Sequence, residues 1–135
     1  MKNRVGVLSP FGYSRCMKNI DLKKLDKDIT EFVTARDWDQ FHSVKNLSMA
    51  LNVESSELLE IFQWISEEKS NQIKNDPQIL SKIEDEVADI FVYLMRILNK
   101  TDIDLESAVR NKMKKNADKY PVALAKGNYK KYSEF

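Results

Sequence analysis

The sequence predicts an all-α fold, a bundle of four amphipathic helices within one domain. The chain has 135 residues, 42% of them hydrophobic, which suffices for one core and is too short for two comfortable domains. Residues 13–120 contain no glycine and only one proline, Pro77, whereas a β-rich domain of this size needs more turn residues. Apolar residues recur at helical spacing along most of that stretch.

The first two helices are predicted on either side of a short turn. Asp21 is the expected N-cap of the first helix, whose apolar face repeats at helical spacing as far as Val33. Residues 37–42 interrupt this period and are predicted to turn the chain. Ser43 is the expected cap of the second helix, whose apolar stripe extends to Ile65.

The second half of the domain is predicted to contain two further helices. Residues 66–78 are polar, and we predict a loop there. The third helix has an apolar face over residues 79–97, and residues 99–103 form a connector. Asp104 is the expected cap of the fourth helix, which Pro121 limits. Together these segments form the predicted domain, residues 21–135, preceded by an irregular extension over residues 1–20.

Composition excludes several classes of protein. The 22 Lys and Arg residues balance 21 Asp and Glu residues, so the chain is not expected to bind nucleic acid through a basic surface. A single cysteine, Cys16, rules out an intramolecular disulfide and argues against a cysteine-based zinc site. One histidine, His42, excludes any site that needs two imidazoles. Since no apolar run reaches signal-peptide or membrane-spanning length, we expect a cytoplasmic protein with no membrane partner.

Acidic residues on the second helix lie on its apolar side. On a helical wheel Glu54 points into the middle of the apolar stripe, and Glu57 lies about 60° to one side. Glu60 lies further round, at about −120°. A carboxylate directed at a core is costly unless something pairs with it.

The third helix repeats this pattern. Glu86 lies at the edge of the apolar stripe, Asp89 lies one step beyond it, and Tyr93 lies between them, whereas Glu84 and Asp85 are expected to face solvent. Each helix therefore carries two carboxylates at i, i+3, which places both on one face. Such pairs also arise by chance, but two pairs directed at apolar stripes favour a site for a hard cation such as Mg²⁺ or Mn²⁺. A di-iron site is excluded, because it needs a histidine on each of two helices.

The fourth helix and the aromatic residues offer groups that could bind a nucleotide. Lys112 and Asn116 share the face of Leu105, where a lysine either extends its charged end to water or binds a phosphate. Trp38 and Trp64 border polar positions, and an indole can stack on a nucleobase, although core packing is the simpler explanation of most aromatics and is expected for Phe41. His42 either forms a local hydrogen bond at the start of the helix or contacts a base or a phosphate.

Several blocks of the sequence carry a family resemblance. The segments 36–42 and 54–64, and the acidic pairs Glu54-x-x-Glu57 and Glu86-x-x-Asp89, resemble the all-α MazG-like nucleoside triphosphate pyrophosphohydrolases, closest to the deoxycytidine triphosphate pyrophosphatase branch. The later residues Lys112, Met113, Asn116, Tyr120, Pro121, Lys131 and Tyr132 fit the same pattern.

The resemblance implies a bundle assembled as a dimer or a dimer of dimers. It implies that the chain hydrolyses a (deoxy)nucleoside triphosphate, dCTP-like, to the monophosphate and pyrophosphate, as nucleotide-pool house-cleaning enzymes do. The implied Mg²⁺ ligands are Glu54, Glu57, Glu86 and Asp89. The implied nucleotide-binding residues are Trp38, His42, Trp64, Tyr93, Lys112 and Asn116. Glu57 or Glu60 would orient or deprotonate the attacking water.

Two alternatives stay open on the sequence. One is a helical dimerisation module without catalytic activity, in which Lys or Arg residues neutralise the inward carboxylates. The other keeps the fold and the chemistry but changes the substrate to dUTP, phosphoribosyl-ATP or an oxidised nucleotide.

Overall fold

The structure, a computed structural model, describes residues 20–135, so the predicted irregular extension lies outside the described residues except for Ile20. Every regular element between residues 20 and 135 is helical, which confirms the all-α prediction. The four long helices are α1 (Leu22–Thr34), α2 (Val44–Phe62), α4 (Pro77–Thr101) and α5 (Leu105–Lys119), and the two short ones are α3 (Glu67–Asn71) and α6 (Val122–Ala125). Single turns of 3₁₀-helix lie at Asp39–Phe41, Ile73–Asn75 and Tyr132–Glu134.

Three of the long helices begin where the sequence predicts. A carboxylate oxygen of Asp21 accepts a hydrogen bond from the Lys24 amide over 3.0 Å at the start of α1. At the start of α2, Ser43 Oγ accepts a hydrogen bond from a backbone amide over 3.1 Å. At the start of α5, a carboxylate oxygen of Asp104 accepts one over 2.8 Å. Each cap satisfies a backbone N–H that has no partner within the helix, which fixes the first turn.

The predicted loop over residues 66–78 is wrong in its middle. Ser66 Oγ accepts a hydrogen bond from the Lys69 amide over 3.2 Å and begins α3, whose first turn carries Glu67 and Glu68. Acidic side chains are favourable at the positive end of the helix dipole, so this polar segment suits a short helix.

Helix α4 is longer at both ends than predicted. It begins at Pro77, and Asp76 Oδ1 accepts from the Ile79 amide over 3.2 Å. Proline is well placed in a first helical turn, where its missing N–H costs nothing. At the other end α4 extends through part of the predicted connector to Thr101, and Asp102 ends it in the left-handed conformation with φ 51°.

Helices α2 and α4 form an antiparallel pair, which is the most extensive helix packing in the described chain. Asp39, shortly before α2, contacts Arg96 and Lys100 near the end of α4. Further along, Glu57 of α2 lies beside Glu86 in the first half of α4. Packing of this kind brings the acidic faces of the two helices together.

Much of the apolar surface in the described part of the chain is exposed to solvent. Its buried apolar residues are Val33, Leu47 and Met95, whereas apolar side chains on α2 and α5, including Leu59, Val109 and Met113, are more than half exposed. Helix α5 makes few contacts with the other helices. Phe41, expected in the core, is 61% exposed, because the 3₁₀ turn holds it at the end of the α2–α4 pair.

Between residues 20 and 135, none of the helices combines the length and the apolar character needed to cross a membrane.

Candidate metal and nucleotide site

The two predicted acidic pairs face each other across the α2–α4 packing. One carboxylate oxygen from each of Glu54, Glu57 and Glu86 can be chosen so that all three lie within 4.8 Å of one another. The i, i+3 spacing puts both carboxylates of a pair on one face, and the antiparallel packing puts the two faces opposite. Asp89 lies outside this trio, although its charge acts on Glu54 and on Glu86.

Burial and mutual repulsion both act on the cluster. Glu54 is half-buried; burial raises its pKa, and the charges of Glu57, Asp89 and Glu86 raise it further. Glu86 is also half-buried, and its pKa is raised by burial and then by the charges of Glu57, Asp89 and Asp85. Both shifts indicate carboxylates that lack a positive partner.

The donor set of this cluster fits a divalent cation. Glu86 Oε2 is shielded from solvent and has no hydrogen-bond partner. Among residues 20–135, no lysine or arginine forms an ion pair with Glu54, Glu57, Glu86 or Asp89. A set of oxygen ligands without nitrogen or sulfur suits Mg²⁺ or Mn²⁺. Glu54, Glu57 and Glu86 could therefore hold such an ion, with Asp89 adding charge nearby.

A cleft of about 490 Å³ opens beside the cluster. Its lining residues come from α2 and α4: Glu57, Glu60, Ile61, Ile79, Lys82, Asp85 and Glu86. Glu60 thus lies in the same cleft as Glu57, as expected for two residues at i, i+3 on one helix.

Two charged lining residues, Lys82 and Asp85, were not predicted as site residues from the sequence. Lys82 precedes Glu86 by one helical turn, so its position on the acidic face of α4 could have been found from the i, i+4 spacing. Asp85 is exposed as expected, but it lines the cleft and adds to the negative charge around Glu86.

Tyr93 lies beside the acidic cluster. Its side chain is partly buried, and burial raises the pKa of its hydroxyl, with the charges of Glu54 and Asp89 adding to the effect. Its hydroxyl therefore stays protonated and can donate a hydrogen bond near the carboxylates.

Trp38 and His42 flank the 3₁₀ turn near the other end of α4. Trp38 is 45% exposed and packs edge to face on Phe32, with ring centroids 5.8 Å apart. His42 is half-buried, and its Nδ1 atom has no hydrogen-bond partner. Burial lowers the pKa of His42, and the charges of Arg96 and Lys100 lower it further while Asp39 opposes them, so the imidazole is neutral at pH 7.

Trp64 lies at the opposite end of α2 from Trp38. It follows α2 by two residues, is 89% exposed, and is separated from Trp38 by a helix of 19 residues. A helix of that length spans about 28 Å, so one chain does not bring both indoles to the same base.

Lys112 and Asn116 also lie apart from the cluster. They are on α5, where Lys112 is exposed and Asn116 is half-buried. Between residues 20 and 135, no side-chain hydrogen bond or ion pair joins either of them to α2 or α4. Of the ten predicted site residues other than Glu60, one chain therefore gathers Glu54, Glu57, Glu86, Asp89 and Tyr93.

Comparison with known proteins finds several relatives of this chain. A model of the MazG-like family matches residues 49–135. The dCTP pyrophosphatase 1 of Rattus norvegicus is 35% identical over 125 residues, which cover 93% of this chain and 72% of the rat protein. The protein of the same name from Bos taurus is 36% identical over the same shares. A solved pyrophosphatase structure from Archaeoglobus fulgidus superposes with a TM-score of 0.69 and 34% identity, covering 76% of this chain and 94% of that one.

Proposed function

The chain belongs to the MazG-like family, and from this membership and its facing carboxylates we propose that it hydrolyses dCTP, or a closely related deoxynucleoside triphosphate, to the monophosphate and pyrophosphate. It is a nucleoside triphosphate pyrophosphohydrolase, with Mg²⁺ as the proposed metal and Mn²⁺ as a substitute. The proposed catalytic domain is residues 21–135.

The observation that carries this proposal is the trio Glu54, Glu57 and Glu86, whose oxygens lie within 4.8 Å of one another without a positive partner in the described chain. A helical module with a purely structural role has no need for unpaired carboxylates at a helix interface, since burying them costs free energy. The proposed ligands are these three glutamates and Asp89.

The mechanism assigns separate tasks to the residues of the cleft. When bound, the divalent cation supplies positive charge that offsets the triphosphate and the charge growing on the leaving pyrophosphate. Glu57 or Glu60 accepts a hydrogen bond from a water molecule, orients it towards the α-phosphorus and takes up its proton. The water oxygen bonds to that phosphorus while the bond to the bridging oxygen breaks, so the electron pair leaves with pyrophosphate. Lys82, which lines the same cleft, adds a positive charge beside the phosphates.

We propose that the nucleotide site is completed by a second copy of this chain. Residues proposed to contact the base, sugar and phosphates lie at separated places in one chain: Trp38, His42, Tyr93, Trp64, Lys112 and Asn116. The exposed apolar side chains of α2 and α5 support an association through these helices, because a large apolar surface is typical of an interface. A dimer, or a dimer of dimers, would bring Trp64 of one chain towards the acidic cluster of another.

A panel of nucleoside triphosphates tests the reaction and the substrate together. Purified protein is incubated with Mg²⁺ and dCTP, dUTP, dTTP or phosphoribosyl-ATP, and the products are separated by ion-exchange chromatography. We expect dCTP to give the highest kcat/KM, with dCMP and pyrophosphate in equal amounts. Release of dCDP and phosphate, or no turnover of any nucleotide, would refute the proposed reaction. A different preferred base would retain the reaction and replace the proposed substrate.

A further inference from the structure

Arg96 is the most deeply buried charged residue in the described chain, with 2% of its surface exposed. Its Nη2 atom donates a hydrogen bond to Asp39 Oδ1 over 2.6 Å, and Nη1 donates to Thr30 Oγ1 over 3.2 Å. A buried guanidinium is stable only when an opposite charge and hydrogen-bond acceptors surround it. Arg96 therefore depends on the carboxylate of Asp39.

Asp39 is held by a second cation as well. Lys100 Nζ donates to Asp39 Oδ2 over 2.9 Å, one turn further along α4 than Arg96. Within residues 20–135, the side-chain hydrogen bonds between residues more than five positions apart all join the C-terminal half of α4 to α1 or to Asp39. The polar attachment of the 3₁₀ turn to α4 thus passes through the carboxylate of Asp39.

The remaining polar contacts of the turn are local. Gln40 Nε2 donates to the Asp37 carbonyl over 3.0 Å, and Asn46 Nδ2 donates to the Phe41 carbonyl over 2.9 Å. These bonds shape the turn but do not fix its place along α4. Trp38 comes directly before Asp39. Its backbone N–H donates to the Val33 carbonyl over 3.1 Å and its indole packs on Phe32, so α1 and the pair with Arg96 together fix where the indole lies.

The Arg96–Asp39 pair also fixes the position of the 3₁₀ turn relative to the acidic cluster. Glu86, Asp89, Tyr93, Arg96 and Lys100 lie within an arc of about 80° on α4. Arg96 is seven residues beyond Asp89, which corresponds to about 10.5 Å along the helix axis. Arg96 thus holds the turn on the face of α4 that carries the carboxylates, at a fixed distance from them.

We propose that Arg96 is a positioning residue for nucleotide binding: through Asp39 it fixes the 3₁₀ turn so that Trp38 is presented at a set distance from the acidic cluster. This inference rests on the proposed function, because it assumes that a nucleotide spans from the cluster to Trp38. Asp39 acts in the same way and touches no reacting atom.

The test uses three variants and a matched control. Arg96→Met removes the charge and keeps much of the side-chain volume. Arg96→Lys keeps the charge but loses the planar guanidinium with its two Nη donors. Asp39→Asn keeps the shape of the partner side chain. Arg110→Met is the control, because Arg110 is an exposed arginine whose pair with Glu106 lies within α5. The first readout is kinetic: we expect Arg96→Met and Asp39→Asn to raise KM for dCTP about tenfold or more with a much smaller change in kcat. Arg96→Lys should recover part of that loss.

The second readout does not depend on catalysis. In a Trp64→Phe background the only tryptophan is Trp38, and acrylamide quenching reports its exposure. We expect Arg96→Met and Asp39→Asn to increase the quenching constant and Arg110→Met to leave it unchanged. Unchanged quenching in folded Arg96→Met and Asp39→Asn proteins would overturn the inference, as would increased quenching with an unchanged KM. If Arg96→Met does not fold, Asp39→Asn decides. If no nucleotide is hydrolysed, the proposed function fails, and the quenching series alone decides whether Arg96 positions Trp38.

Discussion

Arg96 and Asp39 form an ion pair of 2.6 Å in which the guanidinium is almost fully buried and the carboxylate is 54% exposed. The charge of Arg96 is therefore neutralised from the protein surface, at the base of the turn that carries Trp38 and His42. The hydrogen bond from Lys100 is the main reason that the pKa of Asp39 is lowered. Burial is the next largest effect and opposes it, while the charges of Lys100, Arg96 and His42 lower the pKa further. Asp39 therefore stays ionised to a lower pH than an ordinary aspartate.

His42 reports on this group of charges, because it is the only histidine in the chain. Its pKa should lie below the usual histidine range, since burial and the neighbouring cations disfavour the imidazolium. Arg96→Met should raise that pKa, whereas Asp39→Asn should lower it further. Proton NMR of the imidazole during a pH titration measures all three values. A pKa in the usual range that neither variant moves would contradict the proximity of His42 to the Arg96–Asp39 pair.

Glu86→Gln should stabilise the metal-free protein at pH 7. The raised pKa values of Glu54 and Glu86 mean that these groups favour the folded state below their ordinary pKa, and that this contribution is lost as pH rises through the raised pKa values. A neutral amide removes one of the repelling charges, so thermal unfolding without metal should give a higher Tm. Glu84→Gln is the matched control, because Glu84 is exposed and does not line the cleft.

The same Glu86→Gln variant should lose most of its stabilisation by Mg²⁺. Binding to the folded state alone stabilises a protein by about 2.7 kcal/mol when the ligand concentration is 100 times Kd. Thermal unfolding with and without MgCl₂ should therefore show a Tm increase in the wild type and in Glu84→Gln, and little increase in Glu86→Gln. An equal Mg²⁺ response in all three proteins would place the cation elsewhere.

Metal binding should weaken as the pH falls. Protons compete with the cation for Glu54 and Glu86, and their raised pKa values bring this competition to a higher pH than ordinary glutamates would give. Below those pKa values, the apparent Mn²⁺ affinity should fall about tenfold per pH unit for each proton displaced. Calorimetric titration across the acid range measures this slope. An affinity that is constant down to the ordinary glutamate pKa would argue against these two residues as ligands.

Mixed oligomers test whether two chains share one nucleotide site. Trp64→Ala should raise KM by about 5- to 150-fold if stacking on the base contributes about 1–3 kcal/mol. Random pairing of Trp64→Ala with Glu86→Gln chains should restore about a quarter of the wild-type rate at low dCTP, because half of the dimers would then carry one intact site of two. The assay compares the mixture, after unfolding and joint refolding, with each variant refolded alone. A mixture no more active than the sum of the two would show that Trp64 does not act across an interface.

The sequence predicts the features of this fold that depend on local chemistry. Asp21, Ser43 and Asp104 are found as caps because capping involves residues only three positions apart. Helix α3 also has a local signal, a serine cap followed by two acidic residues, but a five-residue helix without an apolar stripe is hidden in a polar segment. Its stability depends on capping and charge, which a search for apolar periodicity does not detect.

Within the site, the helical wheel identifies Glu54 and Glu86, because the 3.6-residue period fixes the angle of each side chain relative to the apolar stripe of its helix. The burial of Arg96 is not predictable in this way, since it depends on how α1 and the 3₁₀ turn pack on α4. The separation of Trp38 from Trp64, by contrast, follows from the length of α2, since the two residues lie beyond its opposite ends. A motif therefore reveals which residue types are present but not which chain brings them to a shared site.

The rate of pyrophosphate release from dCTP and Mg²⁺ by the four acid variants tests the central claim most directly. Glu54→Gln, Glu57→Gln, Glu86→Gln and Asp89→Asn are compared with the control Glu84→Gln, after circular dichroism has shown that each is folded. We predict that Glu84→Gln keeps the wild-type rate and that the four cluster variants each lose about 100-fold or more in kcat/KM. Near-full turnover by Glu57→Gln and Asp89→Asn would contradict the account.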